Sequence, residues 1–378
     1  MGLPLATVMG MVTAHRAAGR GALLCLLSAT GFGVAAVFAK QSYAAGLTVQ
    51  TMLAVRFAIA GVLFWAVVGW RRPQWPVRRV ALTAVGLGGL GYALQAMLYF
   101  AALTHISASL TSLLLYLYPA LVTLLAVLLR RERPDRRRLA ALVSSAAGLV
   151  LILGSGSAIG SVAGFGVLLA LGSAFIYAIY LTVAAGLPYN IDVFLLSAIV
   201  CTASAVTLTV FGAATGTLHA PQQPIGWFWV SMLAVFSTVL PIVTMLAGIR
   251  LVGAPTAAIL SCVEPAITVA SGALLYSERL AAGQILGGLA VLGAVLLLQL
   301  RHRALRPPAP DRAENEPRSA EHEDDRIVGG DGDGVPETSG PATVGGHGGP
   351  AVREDAAAAR FALDQQRLDR EHETFAQR

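Results

Sequence analysis

The chain of 378 residues is far more apolar than a soluble protein, since 56% of its residues are hydrophobic and only 13% are charged. A typical soluble domain carries about 25% charged residues, so this composition excludes an ordinary soluble globular protein. The net charge of +6 is unevenly divided: residues 1–300 carry 16 basic and 5 acidic side chains, whereas residues 301–378 carry 11 basic and 16 acidic ones. Because the basic residues of the first part lie between apolar runs and not on one soluble face, they do not indicate nucleic-acid binding.

Ten apolar runs follow one another between residues 21 and 300, each bounded by charged residues, Gly/Pro loops or polar clusters. A helix needs about 20 apolar residues to cross the ~30 Å hydrocarbon core of a bilayer. The predicted membrane-spanning helices are residues 21–39, 50–70, 80–103, 108–129, 139–154, 164–186, 193–211, 227–249, 254–276 and 280–300. The sequence therefore predicts an all-α integral membrane protein with ten transmembrane helices.

The basic residues between the runs predict the orientation in the membrane. When the loops are assigned alternately to the two sides, one side receives sixteen Lys and Arg residues and the other receives only Lys40 and Arg279. Since cytoplasmic loops carry the excess of Lys and Arg, we expect both termini in the cytoplasm, including an N-terminal segment over residues 1–20. The heavy use of Arg, with Lys40 as the single lysine, is typical of a GC-rich coding sequence and favours the plasma (inner) membrane of a bacterium.

The composition changes abruptly after Leu300 to Pro, Gly, Asp, Glu and Arg. A segment of this kind buries too little apolar surface to become ordered by itself. Residues 301–378 are therefore predicted to form a disordered cytoplasmic tail.

Two segments of the chain match each other without gaps. The paired positions include Ala108 and Ala254, Pro119 and Pro265, and the Glu132-Arg133 and Glu278-Arg279 turns, each pair separated by 146 residues (265 − 119). The match divides the spans into two five-helix repeats, residues 21–154 and 164–300. Because five is an odd number of crossings, the second repeat must insert upside down. Inverted repeats of this kind occur in many secondary transporters, with the substrate site near mid-bilayer between the copies.

Two stretches of sequence carry a family resemblance. They are SASLTSLLLYLYPALVTLL closed by RRERP, and APTAAILSCVEPAITVASGALLYSE with its Glu-Pro pair in the ninth run. Together with the order of the ten runs, they resemble the drug/metabolite transporter (DMT) superfamily, specifically its paired EamA-type domains, over about residues 21–300. The resemblance implies a ten-helix carrier with a central cavity between the halves, used for export or exchange of amino acids, other metabolites or drugs. It does not choose among these substrates.

Glu264 is an acidic residue near the middle of the ninth run, where an ionisable side chain costs about 2.5–3.5 kcal/mol to insert and usually faces a cavity. On a helical wheel it shares one arc with Ser261, Thr268 and Ser271. We interpret Glu264, Ser261 and Thr268 as groups that bind the substrate, with Glu264 binding a cationic group or exchanging a proton. The alternative is a structural role, in which the carboxyl group bonds a neighbouring helix beside the break that Pro265 introduces.

Two basic residues lie toward the side predicted to face outward. Arg56 is several residues into the second run, and Lys40 ends the first. Either side chain could pair with a substrate carboxylate or with Glu264, and Arg suits bidentate binding better. The alternative is that the long side chains reach the membrane interface, which is easier for Lys40. Arg56 and Glu264 together suit a zwitterion such as an amino acid, unless the two charges pair with each other.

Polar and aromatic residues of other runs are further candidates for the cavity wall. Tyr92, Gln95 and Tyr99 share one side of the third run with Gly88, and Tyr116 lies on a polar face of the fourth. An equal alternative is that the glycines let two helices approach closely while the tyrosines only cover that contact. A smaller set in the sixth run consists of Ser173, Tyr177 and Tyr180.

Pro119 predicts a helix break in the fourth run that corresponds to the break at Pro265 in the ninth. Tyr118 is the repeat counterpart of Glu264, but on an ideal wheel it points away from the polar face of its run. Either Pro119 re-aims this side chain, or the two copies contribute differently to the cavity.

These features predict a secondary transporter that moves small metabolites by alternating access, as a proton-coupled or exchange exporter. The expected partners are a small-molecule substrate, the lipid bilayer and protons, with a homodimer left open and no nucleic acid. No nucleophile set, HExxH motif or metal-ligand spacing is visible, so we expect neither enzymatic activity nor a metal or other cofactor. A channel or a membrane scaffold is the alternative that the sequence leaves open.

Overall fold

The computed structural model describes residues 5–130, 135–154, 161–188, 191–221 and 223–304, and helix is the only regular secondary structure within them. We number the helical segments α1–α10 in chain order. Their bounds are α1, Leu5–Gly33 and Ala35–Ala44; α2, Val49–Arg71; α3, Arg78–Gly86, Leu87–Tyr92 and Ala93–Ala102; α4, Ala108–Leu115 and Tyr118–Leu128; α5, Arg136–Gly154; α6, Ser161–Ala184; α7, Val193–Ala214; α8, Pro224–Ala234, Val235–Val239 and Leu240–Val252; α9, Ala254–Ser261 and Glu264–Tyr276; and α10, Ala282–Ala304. The Glu132-Arg133 turn and tail residues 305–378 lie outside the described residues.

Nine helices within the described residues, α1 to α9, are long and apolar enough to cross a membrane. The last segment, α10, contains a shorter apolar helix over Ala282–Leu298. The outward side chains are apolar, as a bilayer requires: Leu274, Leu90 and Val150 are 83%, 75% and 69% exposed. The prediction of an all-α multi-pass membrane protein is confirmed, and the tenth span remains a prediction.

Polar residues mark the starts of several helices, because the first backbone N–H groups of a helix have no partner inside it. The hydroxyl of Thr48 accepts a hydrogen bond from the Thr51 amide at the start of α2, and Ser107 does the same for α4. The Asp192 carboxylate accepts from two amide groups at the start of α7. These caps fix where the spans begin.

The two halves of the chain share one plan of helices. The pairs Arg78 and Pro224, Ala108 and Ala254, and Arg136 and Ala282 begin equivalent helices, each at the 146-residue offset of the sequence repeat. Both α4 and α9 are interrupted, at residues 116–117 and 262–263, which are also 146 apart. Both α3 and α8 contain a π-helical turn, Leu87–Tyr92 and Val235–Val239. The tandem repeat is therefore visible in the helix bounds as well as in the sequence.

The equivalent helices α2 and α7 pack against each other in opposite directions. At one end of the α2/α7 pair, Arg71 lies 3.5 Å from Asp192. At the other end, the Thr48 hydroxyl donates to the carbonyl oxygen of Thr217. Other helices also pack across the two halves. In these contacts α1 packs on α8, and α3 packs on α6. Each half therefore buries its main faces against the other half.

The α5/α10 pair is held by direct contact of two backbones. A Cβ atom on Gly148 would lie 2.6 Å from the carbonyl oxygen of Gly287, a distance that no real side chain tolerates. The Ser144 hydroxyl donates to the carbonyl oxygen of Ala290 in the same contact. Small residues at close helix contacts are typical of membrane proteins, in which packing and not the hydrophobic effect holds helices together.

Candidate functional site

A cavity of about 280 Å³ lies among α1, α2, α3, α4, α6, α8 and α9, so both halves of the repeat contribute to its wall. Seven of the eight predicted binding residues line it, namely Arg56, Tyr92, Gln95, Tyr99, Tyr116, Ser261 and Glu264. The other lining residues are Phe32, Ala35, Ala96, Phe100, Leu115, Tyr118, Tyr177 and Met245. Among these fifteen residues, only Arg56 and Glu264 carry ionisable groups other than tyrosine hydroxyls.

Arg56 lies in the cavity wall and is almost fully buried, with only 4% of its surface exposed. Its Nε atom donates to the Thr238 hydroxyl at 2.8 Å, and Nη2 donates to the carbonyl oxygen of Ser237 at 3.2 Å. Both acceptors belong to the π-helical turn of α8, where Ser237 leaves helical geometry at φ −118° and ψ 15°. The guanidinium also lies 5.3 and 5.0 Å from the ring centroids of Phe57 and Phe100. A π turn frees backbone carbonyl groups, and this one uses a freed group to orient a cation.

Glu264 is placed by the interruption of α9. It is the first residue of the helix Glu264–Tyr276, and a carboxyl group at a helix N-terminus is electrostatically favoured. The Tyr116 hydroxyl lies 3.1 Å from Oε2 of Glu264 and 3.0 Å from the carbonyl oxygen of Ser261. Oε1 of Glu264 has no hydrogen-bonding partner in the part of the chain that the structure describes. The carboxyl group is therefore anchored on one oxygen and free to bind on the other.

Arg56 and Glu264 do not pair with each other. No ion pair joins them within the described residues, and the Arg56 hydrogen bonds go to α8 instead. The sequence left open whether the two charges neutralise one another, and the structure places them separately in the wall of one cavity. One cation and one carboxyl group thus face a common space with unused hydrogen-bonding capacity.

A continuous row of tyrosine rings runs along the side of the cavity formed by α3, α4 and α6, and all of its members except Tyr180 line the cavity. The ring of Tyr118 lies 5.8 Å from Tyr116 and 4.8 Å from Tyr177. The row continues from Tyr177 through Tyr180 to Tyr92, with centroid distances of 5.9 and 5.6 Å. The hydroxyls of Tyr92, Tyr118 and Tyr177 have no hydrogen-bonding partner among the described residues. They add both cation-attracting ring faces and hydroxyl groups to the wall.

Both interpretations of the third run describe part of α3. A Cβ atom on Gly88 would lie 2.7 Å from Cα of Val200 in α7, so this glycine permits close helix packing. Seven residues later in the same helix, Gln95 donates from Nε2 to the Ser173 hydroxyl of α6 at 3.1 Å. That hydroxyl donates in turn to the backbone carbonyl oxygen of Gln95. Close packing and cavity lining therefore occupy different positions of the same helix.

Lys40 and Thr268 lie outside the cavity wall. The Lys40 amine lies 2.6 Å from Oε1 of Glu278 and so pairs with neither Glu264 nor the cavity. The Thr268 hydroxyl lies 2.9 Å from the carbonyl oxygen of Gly33, where α1 is interrupted. The predicted polar arc of α9 thus divides, because Ser261 and Glu264 face the cavity while Thr268 satisfies a backbone carbonyl group of another helix.

Pro119 and Pro265 each lie in the first turn of the half-helix that follows an interruption, where a missing amide hydrogen costs nothing. Tyr118 lines the cavity, although an unbroken wheel points it away, and it is the first residue of the half-helix that follows the interruption of α4. Tyr118 is absent from the predicted set because an unbroken wheel misdirects it. The signal that finds it is its register with Glu264 in the repeat.

Nothing in the described residues resembles a metal site, since they contain no cluster of three or more His, Cys, Asp or Glu side chains. The site instead offers a cation, a carboxyl group, tyrosine hydroxyls and aromatic faces around one cavity. These groups can bind and orient a small polar molecule.

The model of the EamA-like transporter family matches residues 19–154 and 164–300, once for each half of the repeat. The chain belongs to the EamA-like transporter family. The resemblance to the DMT superfamily and its paired EamA-type domains is thereby confirmed. Membership in a transporter family favours transport over an enzymatic activity.

Two bacterial relatives carry transporter names. The "Uncharacterized transporter YcbK" of Bacillus subtilis (strain 168) is 30% identical over 283 residues, which cover 72% of this chain and 90% of the relative. The "Uncharacterized inner membrane transporter YicL" of Salmonella typhimurium is 26% identical over 229 residues, covering 60% of this chain and 75% of the relative. A solved crystal structure matches 76% of this chain and 99% of its own at a TM-score of 0.51 and 19% identity, which shows a shared fold.

Proposed function

We propose that this EamA-like transporter is a secondary carrier of small zwitterionic metabolites, with amino acids as the leading class. It works by alternating access in the plasma membrane, with both termini in the cytoplasm, as a proton-coupled or exchange exporter. The observation that carries the proposal is that Arg56 and Glu264 line one cavity and do not pair with each other. A zwitterion supplies the two missing partners at once.

The charges of the cavity favour a defined substrate orientation. The fixed guanidinium of Arg56 suits a carboxylate, because its planar donors match the carboxylate oxygens. The free oxygen of Glu264 suits an ammonium group, and the tyrosine row beside it offers ring faces to the same cation. An uncharged molecule would leave both buried groups uncompensated, which is costly.

The size of the cavity favours small metabolites over drugs. Sites for drug-sized ligands occupy about 300–1,000 Å³, and this cavity has about 280 Å³. Seven of the fifteen lining residues are aromatic and four more are Ala, Leu or Met, so a substrate with an apolar side chain fills the remaining space without leaving polar groups unpaired.

The opposed packing of equivalent helices supports the inverted-repeat arrangement. In α2/α7 the start of each helix contacts the end of its counterpart, as a two-fold axis in the membrane plane requires. The interruptions of α4 and α9 beside the cavity are also typical of carriers that bind substrate at broken helices. Rocking of the halves about this site would expose it to each side of the membrane in turn.

Glu264 is the group proposed to couple transport to protons. It holds the substrate ammonium group when ionised, and it binds a proton when the substrate leaves, so that a buried charge is not left alone. Exchange of one zwitterion for another satisfies the same site without a proton. Proton coupling and exchange therefore use the same carboxyl group. They differ in whether a proton or a second zwitterion occupies Glu264 on the return step.

The test is counterflow of labelled amino acids into proteoliposomes that are preloaded with the unlabelled compounds, with and without an imposed pH gradient. A carrier accumulates label transiently above equilibrium, whereas a channel does not. We expect Glu264→Gln to retain counterflow, at a raised KM, and to lose the response to the pH gradient, and we expect Arg56→Gln to bind the substrate more weakly. Asp192→Asn and Arg71→Gln are matched controls, because that pair lies outside the cavity wall.

Substrate analogues separate the two charges. A decarboxylated amine lacks the partner of Arg56, and a deaminated acid lacks the partner of Glu264, so each should compete poorly against the parent amino acid. Equal transport by wild type and by both cavity variants would contradict the proposed roles. Absence of counterflow with every zwitterion tested would remove the zwitterion assignment and leave the family membership intact.

A further inference from the structure

One carboxylate closes the end of the bundle that lies beyond the cavity. Oε1 of Glu278 is 2.6 Å from the amine of Lys40 in α1 and 3.0 Å from the amide nitrogen of Ala108 in α4. Oε2 accepts from the amide and the hydroxyl of Ser109 at 3.0 and 2.7 Å. Only 9% of the Glu278 side chain is exposed. A residue that follows α9 thus ties together the ends of three helices from both halves.

The end of α9 is built to receive this carboxylate. Ser277 has φ 53°, a left-handed conformation that turns the chain back so that the Glu278 amide donates to the carbonyl oxygen of Gly272. A Cβ atom on Gly272 would lie 2.5 Å from Oε2 of Glu278 and 2.9 Å from the Ser109 hydroxyl. Glycine at position 272 therefore leaves the space that the carboxylate occupies.

The carboxylate is stabilised in its ionised form. Glu278 lies outside the membrane-spanning segment Thr256–Tyr276. Burial by itself raises its pKa, but the hydrogen bonds from Lys40, Ser109 and Ala108 hold the pKa below the ordinary range of a glutamate. The N-terminus of α4, which lacks intrahelical partners for its first amides, favours the negative charge as well.

The three helices joined by Glu278 are also the three that are interrupted beside the cavity without a π turn. The interruptions are at Val34 in α1, at residues 116–117 in α4 and at residues 262–263 in α9. Cavity-lining Ala35, Tyr116 and Glu264 lie at these interruptions. Lys40 is five residues beyond Ala35, about 7.5 Å along a helix axis. An interrupted helix lacks some backbone hydrogen bonds at the interruption, so it bends there more easily than a continuous helix does.

We propose that Glu278 is the latch of a gate at this end of the cavity. The moving parts are the half-helices Ala35–Ala44, Ala108–Leu115 and Glu264–Tyr276, and opening requires Glu278 to leave Lys40 and the α4 N-terminus. This gate rests on the proposed alternating-access function, in which it shuts one of the two routes to the substrate. By the charge-based orientation, the route that it shuts leads outward.

The test measures access to the cavity without any substrate. A reporter cysteine, Met245→Cys, is placed in the cavity wall of the full chain, and the three free cysteines Cys25, Cys201 and Cys262 are replaced by alanine. A membrane-impermeant maleimide is applied from outside to spheroplasts, and from the cytoplasmic face to inverted vesicles. Glu278→Gln should raise the labelling rate from one face only, by about tenfold, because hydrogen bonds to a charged group are lost.

Two further variants keep the test decisive if Glu278→Gln folds poorly. Lys40→Met removes the ion pair and keeps the bonds to α4, so it should raise the rate by a smaller factor. The charge exchange Lys40→Glu with Glu278→Lys should not restore slow labelling, since a cation cannot accept from the α4 amides. Arg279→Gln is the control, because this neighbouring side chain is exposed and carries none of the latch contacts.

Unchanged labelling in both Glu278→Gln and Lys40→Met would overturn the gate. Equal acceleration from both faces would overturn it as well, because it would indicate general loosening of the fold. Restoration by the charge exchange would show that the ion pair acts without the α4 N-terminus and would overturn the latch as described. Since no substrate is used, these outcomes are independent of the zwitterion assignment.

Discussion

Two carboxyl groups of α9 and its end, 14 positions apart (278 − 264), are used in opposite ways. Glu278 has an amine, two amides and a hydroxyl around it, so both of its oxygens are occupied by the protein. Glu264 has the Tyr116 hydroxyl on one oxygen and an open cavity on the other. A fully partnered carboxylate holds helices together, whereas a partly partnered one beside a cavity is available to a ligand.

The largest expected effect comes from removing Arg56, the cation that lines the same cavity as Glu264. Arg56→Gln should weaken substrate binding by about 10- to 100-fold, because hydrogen bonds between charged groups contribute roughly 1.5–3 kcal/mol. The measurement is the apparent KM for counterflow of the best amino acid. Arg71→Gln, which loses a cation outside the cavity, should stay near the wild-type value.

Removing each carboxylate in turn sharpens the contrast between them. We expect Glu264→Gln to abolish the response to a pH gradient while the protein keeps its thermal stability. Glu278→Gln should instead lower the Tm and accelerate cavity labelling. Gradient-driven uptake and the Tm are measured on both variants. If the two variants change uptake and Tm in the same way, the two carboxylates do not have different roles.

The stability that Glu278 provides should depend on pH in a definite direction. Its pKa is lowered in the folded protein, burial being outweighed by the bonds from Lys40, Ser109 and Ala108. The stabilisation is therefore complete above the pKa of an unfolded glutamate, about 4.3, and is lost as the pH falls through the lower folded value. Plots of Tm against pH for wild type and Glu278→Gln should converge in acid and separate toward neutral pH. Parallel plots at all pH values would contradict the assignment.

The smallest effect is expected at Thr268, which the polar arc of α9 assigns to substrate binding. Its hydroxyl donates to the Gly33 carbonyl oxygen at 2.9 Å and lies outside the cavity wall. Thr268→Val should lower the free energy of unfolding by about 1 kcal/mol and leave the KM unchanged. A raised KM with unchanged stability would return Thr268 to the binding site. Thr244→Val, which loses bonds only within α8, is a matched control.

Much of the fold follows from the sequence because apolar runs of membrane length have few alternatives to helix. The 146-residue repeat likewise predicts the interruptions of α4 and α9, because the equivalent prolines Pro119 and Pro265 follow them. Ser261 and Glu264, which the wheel puts on one polar arc, both line the cavity beside the interruption of α9. Thr268, from the same arc, lies outside the cavity wall and bonds the Gly33 carbonyl oxygen, and a carbonyl group freed in another helix has no signature in the sequence of α9.

The environment of Arg56 could not be read from the sequence for a related reason. Its acceptors are the Thr238 hydroxyl and the Ser237 carbonyl oxygen in the π-helical turn of α8, 182 and 181 positions away, and no residue pattern in the eighth run marks that turn. The partner of Lys40 was missed because Glu278 follows the end of its helix, where a wheel no longer applies. The repeat did mark Glu278, through its match to Glu132, without indicating its contacts.

The packing of helices from one half on helices of the other has a consequence for each half taken alone. The broadest faces of one half are covered by the other half, as in α2 against α7 and α5 against α10. A single five-helix half would leave these faces, including the bare backbone at Gly148, without a partner. One half alone therefore lacks the surface that buries these faces, so the two halves depend on each other for their packing.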